Sequence, residues 1–215
     1  MDFELSDEQI AFAQAAKDFA VGELAPHAAY WDQECVFPRE TFSRAGELGF
    51  CGIYASEEIG GLALPRLDAS LVFEEMAAFD PSTTAFLTIH NMATWMLGHW
   101  GSETVKEKWG ASLSSGKMLA SYCLTEPNAG SDAASLTTQA TEVDGQYVLN
   151  GAKAFINGGS GGSSQVGICV ADAPGGFGGG GGGGGGSTST GLGAAACGTA
   201  DHNSASTDRL LSCFH

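Results

Sequence analysis

Apolar side chains recur at helical spacing from the start of the chain. Ser6 and Gln9 have the S-x-x-Q form of a capping box, in which two side chains bond free backbone N–H groups at the start of a helix. Apolar residues then follow every three or four positions as far as Leu24, shortly before Pro26. This pattern predicts a helix that begins near Ser6 and ends near Pro26.

A second helix is predicted between Pro38 and Gly49, since proline suits the first turn of a helix and glycine often follows the last. It should bury Phe42, Ala45 and Leu48. After a predicted loop, helical periodicity returns at about 67–79, 83–100 and 102–109. The first 116 residues are therefore expected to be nearly all α-helical.

The pattern changes after Gly116 to short runs rich in β-branched and aromatic residues, separated by turn residues such as Asp144 and Gly145. The runs predict antiparallel strands at 118–125, 135–143, 146–157 and 165–173. Helices followed by strands indicate an α+β fold, with two domains or one α+β body and a boundary near residue 116.

From Gly175 onward the chain is mostly glycine, serine, threonine and alanine. Ordering a residue costs about 1–2 kcal/mol, and this composition offers little apolar area to offset that cost. Residues 173–215 are therefore predicted to form a low-complexity, disordered tail.

Charge and cysteine content narrow the classes of function. Nine Lys and Arg against 25 Asp and Glu give a net charge of −16, which argues against nucleic acid and anionic membranes as partners. No apolar run approaches the ~20 residues of a membrane span, and the acidic N-terminus resembles neither a signal peptide nor a transit peptide. The six cysteines show no metal-ligand spacing, so we predict reduced intracellular thiols and no metal.

The most informative stretch is YCLTEPNAGSD, residues 122–132. Pro127 fixes its own φ, while Asn128 and Gly130 tolerate positive φ, so the chain can turn sharply with its N–H groups on one side. Such a set of donors suits an anion, and Ser131 adds a hydroxyl. An ordinary strand-to-loop turn has the same features and is favoured on spacing alone.

This stretch closely resembles the acyl-CoA dehydrogenase signature Y-C-x-T-E-P-x-A/S-G-S-D. LSDEQ precedes it, and LNGAKAFINGG follows it in the position of the family's N-G-x-K-x-W/F-I segment. The segments EEIGGLALPRLDASLVFEEMA and TAFLTIHNMATWML are similar to the branched-chain members. The resemblance covers residues 1–172 and stops at the glycine run.

The resemblance implies an all-α N-terminal domain over 1–116 and an incomplete, antiparallel β-barrel-like middle domain over 117–172. It also implies an FAD site, with Ser131 contacting the substrate as well. Phe155 stands where many members have Trp, and Asn157 replaces the usual Ser or Thr. The implied cofactor-binding residues are Tyr122, Cys123, Leu124, Thr125, Gly130, Ser131, Phe155, Ile156 and Asn157. His90, in TIHNM, is expected to be a core or capping residue rather than part of an acyl pocket.

Members of this family oxidise an acyl-CoA to the 2-enoyl-CoA: a carboxylate removes the α proton while hydride passes from the β carbon to FAD. The resemblance therefore implies a short or branched-chain acyl-CoA substrate in fatty acid and branched-chain amino acid catabolism. It further implies electron-transferring flavoprotein as a partner, a homotetramer, and the mitochondrial matrix in a eukaryote or the cytoplasm otherwise.

The family's catalytic Glu lies in a C-terminal helical domain that we do not find in this sequence, so no catalytic residue is assigned. The chain by itself is expected to bind FAD weakly and to be inactive. Two alternatives stay open at this point: a non-catalytic truncated fragment, and an acyl-CoA oxidase-like enzyme.

Overall fold

The computed structural model describes residues 4–143, 146–157, 165–172, 192–197 and 210–211. They fall into two compact units, one within residues 1–99 and 106–118 and the other within 100–105 and 119–215. The described helices are α1 (Asp7–Phe19), α2 (Ala28–Gln33), α3 (Arg39–Glu47), α4 (Arg66–Ala77), α5 (Pro81–Trp100) and α6 (Glu103–Ser114). The described strands are β1 (Leu119–Cys123), β2 (Gln139–Val143), β3 (Gln146–Asn150), β4 (Gln165–Asp172), β5 (Leu192–Cys197) and β6 (Leu210–Leu211).

Helix α1 begins as its sequence predicts. The Ser6 hydroxyl accepts from the Gln9 N–H, and the Gln9 side chain accepts from the Ser6 N–H, so the capping box is present in full. After α1 the chain continues as a π-helix, Ala20–Leu24, and buries Leu24 before Pro26. The predicted first helix is therefore confirmed, with a change of winding in its last turn.

The helical unit has an aromatic cluster in its core. The Phe42 ring lies 4.7 Å from the Phe86 ring and 5.2 Å from the Phe37 ring, centroid to centroid. Phe42 and Ala45 are buried on α3 as expected. Leu48, also predicted to be buried, is 55% exposed, so that prediction is wrong. The reason is that α3 ends at Glu47, and Leu48 falls in the turn that leads to Gly49 at φ +82°.

Asn91, on α5, fixes the loop that follows α3, and its neighbour His90 contacts α6. The Asn91 carboxamide donates to the carbonyl oxygens of Phe50 and Leu87 and accepts from the Ile53 N–H at 2.8 Å. His90 is fully buried, with Nε2 lying 3.1 Å from the Leu113 carbonyl oxygen. His90 is thus a core residue, as the sequence predicts.

The strands form a mixed sheet in the order β1-β4-β2-β3-β6, with β5 pairing β4. Antiparallel pairing is found for β2 with β3, from Gln139 opposite Asn150 to Val143 opposite Gln146. The predicted antiparallel arrangement is wrong for β1 and β4, which run parallel. These two strands are not consecutive, and the long connection between them permits a parallel pair that a tight hairpin forbids.

Two short strands lie in the predicted disordered tail. β5 pairs antiparallel with β4, and β6 pairs antiparallel with β3. Such pairing satisfies backbone groups without needing large side chains, and the disorder of the tail as a whole stays a prediction. The rest of 173–215 lies outside the described residues. In the part of the chain that the structure describes, no helix is long and apolar enough to cross a membrane.

Candidate functional site

Strand β1 carries the first segment of the candidate site, residues 122–131. The strand is buried at Leu119, Ala120 and Ser121 and becomes half-buried at Tyr122 and Cys123, where the chain leaves the sheet. Burial raises the pKa of the Tyr122 phenol. The strand therefore holds the start of the segment in a fixed position.

A tight turn follows the strand. Glu126 and Ala129 exchange backbone hydrogen bonds of 3.0 and 3.2 Å. Pro127 and Asn128 occupy the two central positions, where the fixed φ of proline and the tolerance of asparagine favour a turn. The turn leaves Gly130 and Ser131 exposed immediately after it.

The second segment, residues 153–157, crosses the first. The Ala154 N–H donates to the Thr125 carbonyl at 2.9 Å, and Lys153 Nζ donates to the Leu124 carbonyl at 3.0 Å. The buried Ser121 hydroxyl donates to the Asn157 carbonyl at 2.7 Å. The fold therefore brings together two stretches that lie about thirty positions apart in the sequence.

Glu126 joins the two segments through its side chain. Its carboxylate accepts from Lys153 Nζ at 2.8 Å, from both the N–H and the hydroxyl of Thr137, and from the Thr138 N–H. Burial by itself raises the pKa of Glu126. The hydrogen bonds from Lys153, Thr138 and Thr137 outweigh that effect and hold the pKa well below its usual range. Glu126 is therefore an ionised anchor.

Phe155 is the most exposed of the large apolar side chains in the described residues, at 93%. Its backbone has φ +54°, a left-handed conformation that is strained for a residue with a bulky side chain. Exposed aromatic area and backbone strain both cost free energy, and they tend to persist where they serve a function. Phe155 is thus a strong candidate for contact with a ligand.

Two glycines in this unit have contrasting surroundings. A Cβ at Gly151 would lie 2.3 Å from the Thr138 Oγ1, so only glycine fits there. A Cβ at Gly130 would meet nothing within 4 Å. Packing within the chain therefore explains why residue 151 is a glycine, whereas the space beside Gly130 is open.

The structure thus connects Leu124 and Thr125 directly with residues 153–157, and it places Gly130 and Ser131 beyond the adjoining turn. Three residues that hold this arrangement, Ser121, Glu126 and Lys153, were not among the predicted site residues. A sequence signal for one of them did exist. Lys153 is the only Lys or Arg between Lys117 and Arg209, and it lies inside the second motif.

Comparison with known families identifies both units. The family model for the acyl-CoA dehydrogenase N-terminal domain matches residues 6–117, and the model for the middle domain matches residues 121–181. The chain belongs to the acyl-CoA dehydrogenase family. This confirms the resemblance first suggested by the two motifs.

Individual relatives agree with this assignment. The chain is 46% identical over 171 residues to the mitochondrial isobutyryl-CoA dehydrogenase of Bos taurus, a match that covers 80% of this chain and 41% of that protein. It resembles the solved butyryl-CoA dehydrogenase of Megasphaera elsdenii with a TM-score of 0.75 and 31% identity, over 94% of this chain and 50% of that one. The FAD complex of PigA matches with a TM-score of 0.78 and 26% identity, over 100% of this chain and 57% of that one. The chain therefore spans about two fifths of the curated relative's length and about half of the solved chains.

Proposed function

We propose that residues 122–131 and 153–157 form one wall of an FAD site in an enzyme that dehydrogenates short or branched-chain acyl-CoA thioesters. The observation that carries the proposal is the crossing of the two segments at Thr125 and Ala154, beside an aromatic ring that is almost fully exposed. A structure with similar fold, that of PigA, is a complex with FAD.

The residues present fit a flavin. Phe155 offers an aromatic face of the kind that packs against a planar ring system. The open space at Gly130 lets a cofactor approach the backbone closely, and the hydroxyl of Ser131 is exposed next to it. No hydrogen bond within the described residues engages the hydroxyl of Thr125, which leaves it available to the polar edge of a flavin.

Bound FAD supplies the acceptor for a hydride from the β carbon of the acyl chain. The residues of this chain bind and orient the cofactor and the acyl-CoA. The wall begins where the chain leaves the sheet, at Tyr122, Cys123 and Leu124. It continues beyond Phe155 through Ile156 and Asn157. Ser131 contacts the acyl-CoA. These roles rest on the family motifs together with the geometry of the two segments.

None of the described carboxylates near this wall is suited to remove the α proton. A general base needs a free oxygen and a pKa near the working pH. Glu126 is instead occupied by four hydrogen bonds and has a strongly lowered pKa. Asp132 accepts from the Ser135 hydroxyl, at the surface. The proposal therefore assigns binding, and no proton transfer, to these residues.

The mitochondrial isobutyryl-CoA dehydrogenase of Bos taurus supports a short branched acyl group as the substrate and, in a eukaryotic cell, the mitochondrial matrix as the location. In a bacterial cell the corresponding location is the cytoplasm. We further propose that the complete enzyme is a homotetramer that passes its electrons to electron-transferring flavoprotein, on the strength of the family resemblance.

The proposal is tested by titrating the 215-residue chain with FAD and then adding isobutyryl-CoA without oxygen. We expect saturable flavin binding and no loss of the oxidised flavin absorbance on adding the thioester. Absence of binding would contradict the site. Bleaching by isobutyryl-CoA would show that a residue of this chain acts as the base, against the argument made from Glu126.

Gly130→Val provides a specific variant for the same titration. The new side chain meets no atom of the chain at its Cβ, so the fold should tolerate it while the cofactor loses its space. We expect FAD binding to weaken about tenfold or more, which corresponds to about 1.4 kcal/mol. Gly22→Val is the matched control, because Gly22 is exposed on the helical unit and is equally open at its Cβ. It should leave FAD binding unchanged.

A further inference from the structure

We infer that Lys153 and Glu126 form a buried ion pair that positions the flavin wall and polarises the peptide group between Leu124 and Thr125. This inference rests on the proposed function, because the flavin is the ligand whose affinity and redox behaviour the ion pair sets. The pair is neither a substrate contact nor a catalytic group. Both residues act through the backbone that they hold.

The pair is almost fully removed from water. The Lys153 side chain is 12% exposed and the Glu126 side chain 4%, with Nζ and Oε1 2.8 Å apart. The other ion pairs described are more open: Lys17 and Glu75, for example, are 51% and 34% exposed and lie 3.9 Å apart. Removing one partner of a buried pair leaves an uncompensated charge, which costs far more than loss of a surface pair.

The pair connects four separate points of the second unit. Glu126 accepts from the Thr137 N–H at 2.7 Å and from the Thr138 N–H at 2.9 Å, which attaches the turn to the chain ahead of β2. Lys153 donates both to Glu126 and to the Leu124 carbonyl. The end of β1, the turn, the approach to β2 and the second segment are therefore fixed by two side chains.

Lys153 also acts electrostatically on the wall. The Leu124 carbonyl and the Thr125 N–H belong to one peptide group, so an ammonium that bonds the oxygen withdraws electron density and strengthens the N–H as a donor. A positive charge at this position favours the more electron-rich, reduced form of a flavin held against the wall. Because no other Lys or Arg lies between Lys117 and Arg209, no neighbour in sequence can substitute for it.

The test compares FAD dissociation constants and midpoint potentials of the bound flavin in the full chain and its variants. Lys153→Met should weaken FAD binding about tenfold or more, because one strong charge-assisted interaction is lost. It should also lower the midpoint potential. Glu126→Gln should also weaken binding, yet raise the potential, since it leaves the ammonium without its counter-ion. Lys153→Arg should restore most of the affinity. Lys17→Met, the same substitution at the exposed pair, should change neither quantity.

Opposite shifts in the midpoint potential distinguish this inference from a purely structural role. A purely structural role would weaken FAD binding in both variants without shifting the potential in opposite directions. If the unmodified chain binds FAD and Lys153→Met keeps both its dissociation constant and its potential, the ion-pair inference is overturned and the proposed function stands. If the unmodified chain binds no FAD, both are overturned. Should Lys153→Met fail to fold, Glu126→Gln decides: an unchanged or lowered potential overturns the inference.

Discussion

The side-chain hydroxyl of Ser121 donates a 2.7 Å hydrogen bond to the backbone carbonyl of Asn157, 36 positions further along the chain. Ser121 is buried in β1, whereas Asn157 is exposed at the end of the second segment. The bond therefore ties the end of an exposed segment to a rigid strand. It shows how a surface site can be held in shape by a group that does not itself reach the surface.

Ser121→Ala tests this connection. Loss of one buried side-chain hydrogen bond should lower the free energy of unfolding by about 1 kcal/mol and should weaken FAD binding by loosening residues 153–157. Ser70→Ala is the control, because the Ser70 hydroxyl bonds the Arg66 carbonyl on an exposed helix surface. Thermal melts and FAD titrations of both variants give the result. Equal FAD affinity in all three proteins would show that the connection is irrelevant to binding.

Phe155→Gly should separate stability from binding. The ring is 93% exposed and φ is +54°, so the variant loses little burial and relieves strain, while glycine adds entropy to the unfolded chain. These effects oppose each other, and the free energy of unfolding should change by less than about 1 kcal/mol. FAD binding should weaken about three- to tenfold, the value of one aromatic contact.

Phe155→Trp is the matched variant for that experiment, since it keeps an aromatic face at the same position. It should bind FAD with affinity close to that of the unmodified chain. A large drop in the melting temperature of Phe155→Gly with unaltered FAD affinity would instead identify Phe155 as a structural residue.

Five of the six described helices, all except α2, could be predicted because their signals are local. The capping box at Ser6, the spacing of apolar residues and the helix-ending glycines each act within a few positions, and the structure follows them. Leu48 was misjudged because periodicity does not show where the last turn of a helix ends. The parallel pairing of β1 with β4 depends on contacts between distant residues, which no local pattern specifies.

The candidate site was predictable to the extent that its residues lie within two recognisable motifs. What the motifs do not show is how the segments cross. The bonds from Lys153 to Glu126 and to Leu124 exist only because the second segment passes over the end of β1. The ion pair was therefore missed, even though both of its members stand inside the motifs.

His90 should make the helical unit sensitive to acid. Burial lowers the pKa of His90 to about 4, from 6.5, partly opposed by its hydrogen bond to the Leu113 carbonyl. Between these values the unfolded chain binds the proton and the folded chain does not, so stability is full above pH 6.5 and falls as the pH drops towards 4. The loss over this window should be about 3 kcal/mol.

Urea unfolding at a series of pH values measures the slope of the free energy of unfolding against pH. His90→Gln should flatten it, whereas His27→Gln, at an exposed histidine, should leave it in place. An unchanged slope in His90→Gln would contradict the assignment of the effect to His90.

Asn91→Leu should destabilise the helical unit strongly. The substitution keeps the size of the side chain but leaves the buried N–H of Ile53 and the buried carbonyl of Phe50 without their partner. Each unsatisfied buried group costs about 1–3 kcal/mol, so we expect the two together to lower the free energy of unfolding by about 2–6 kcal/mol in denaturant unfolding. Gln14→Leu is the control, because Gln14 bonds Asp18 on an exposed face of α1. A comparable, small loss in both variants would show that Asn91 does not hold the loop.

The central claim, that residues 122–131 and 153–157 together form a flavin wall, is tested most directly by mapping FAD onto the backbone. In a titration of the isotope-labelled 215-residue chain, followed by amide chemical shifts, the account predicts that the largest changes fall on Thr125, Gly130, Ser131 and residues 155–157 and that the helical unit changes little. Changes centred on α1–α5, or none at these residues while FAD is bound, would contradict it.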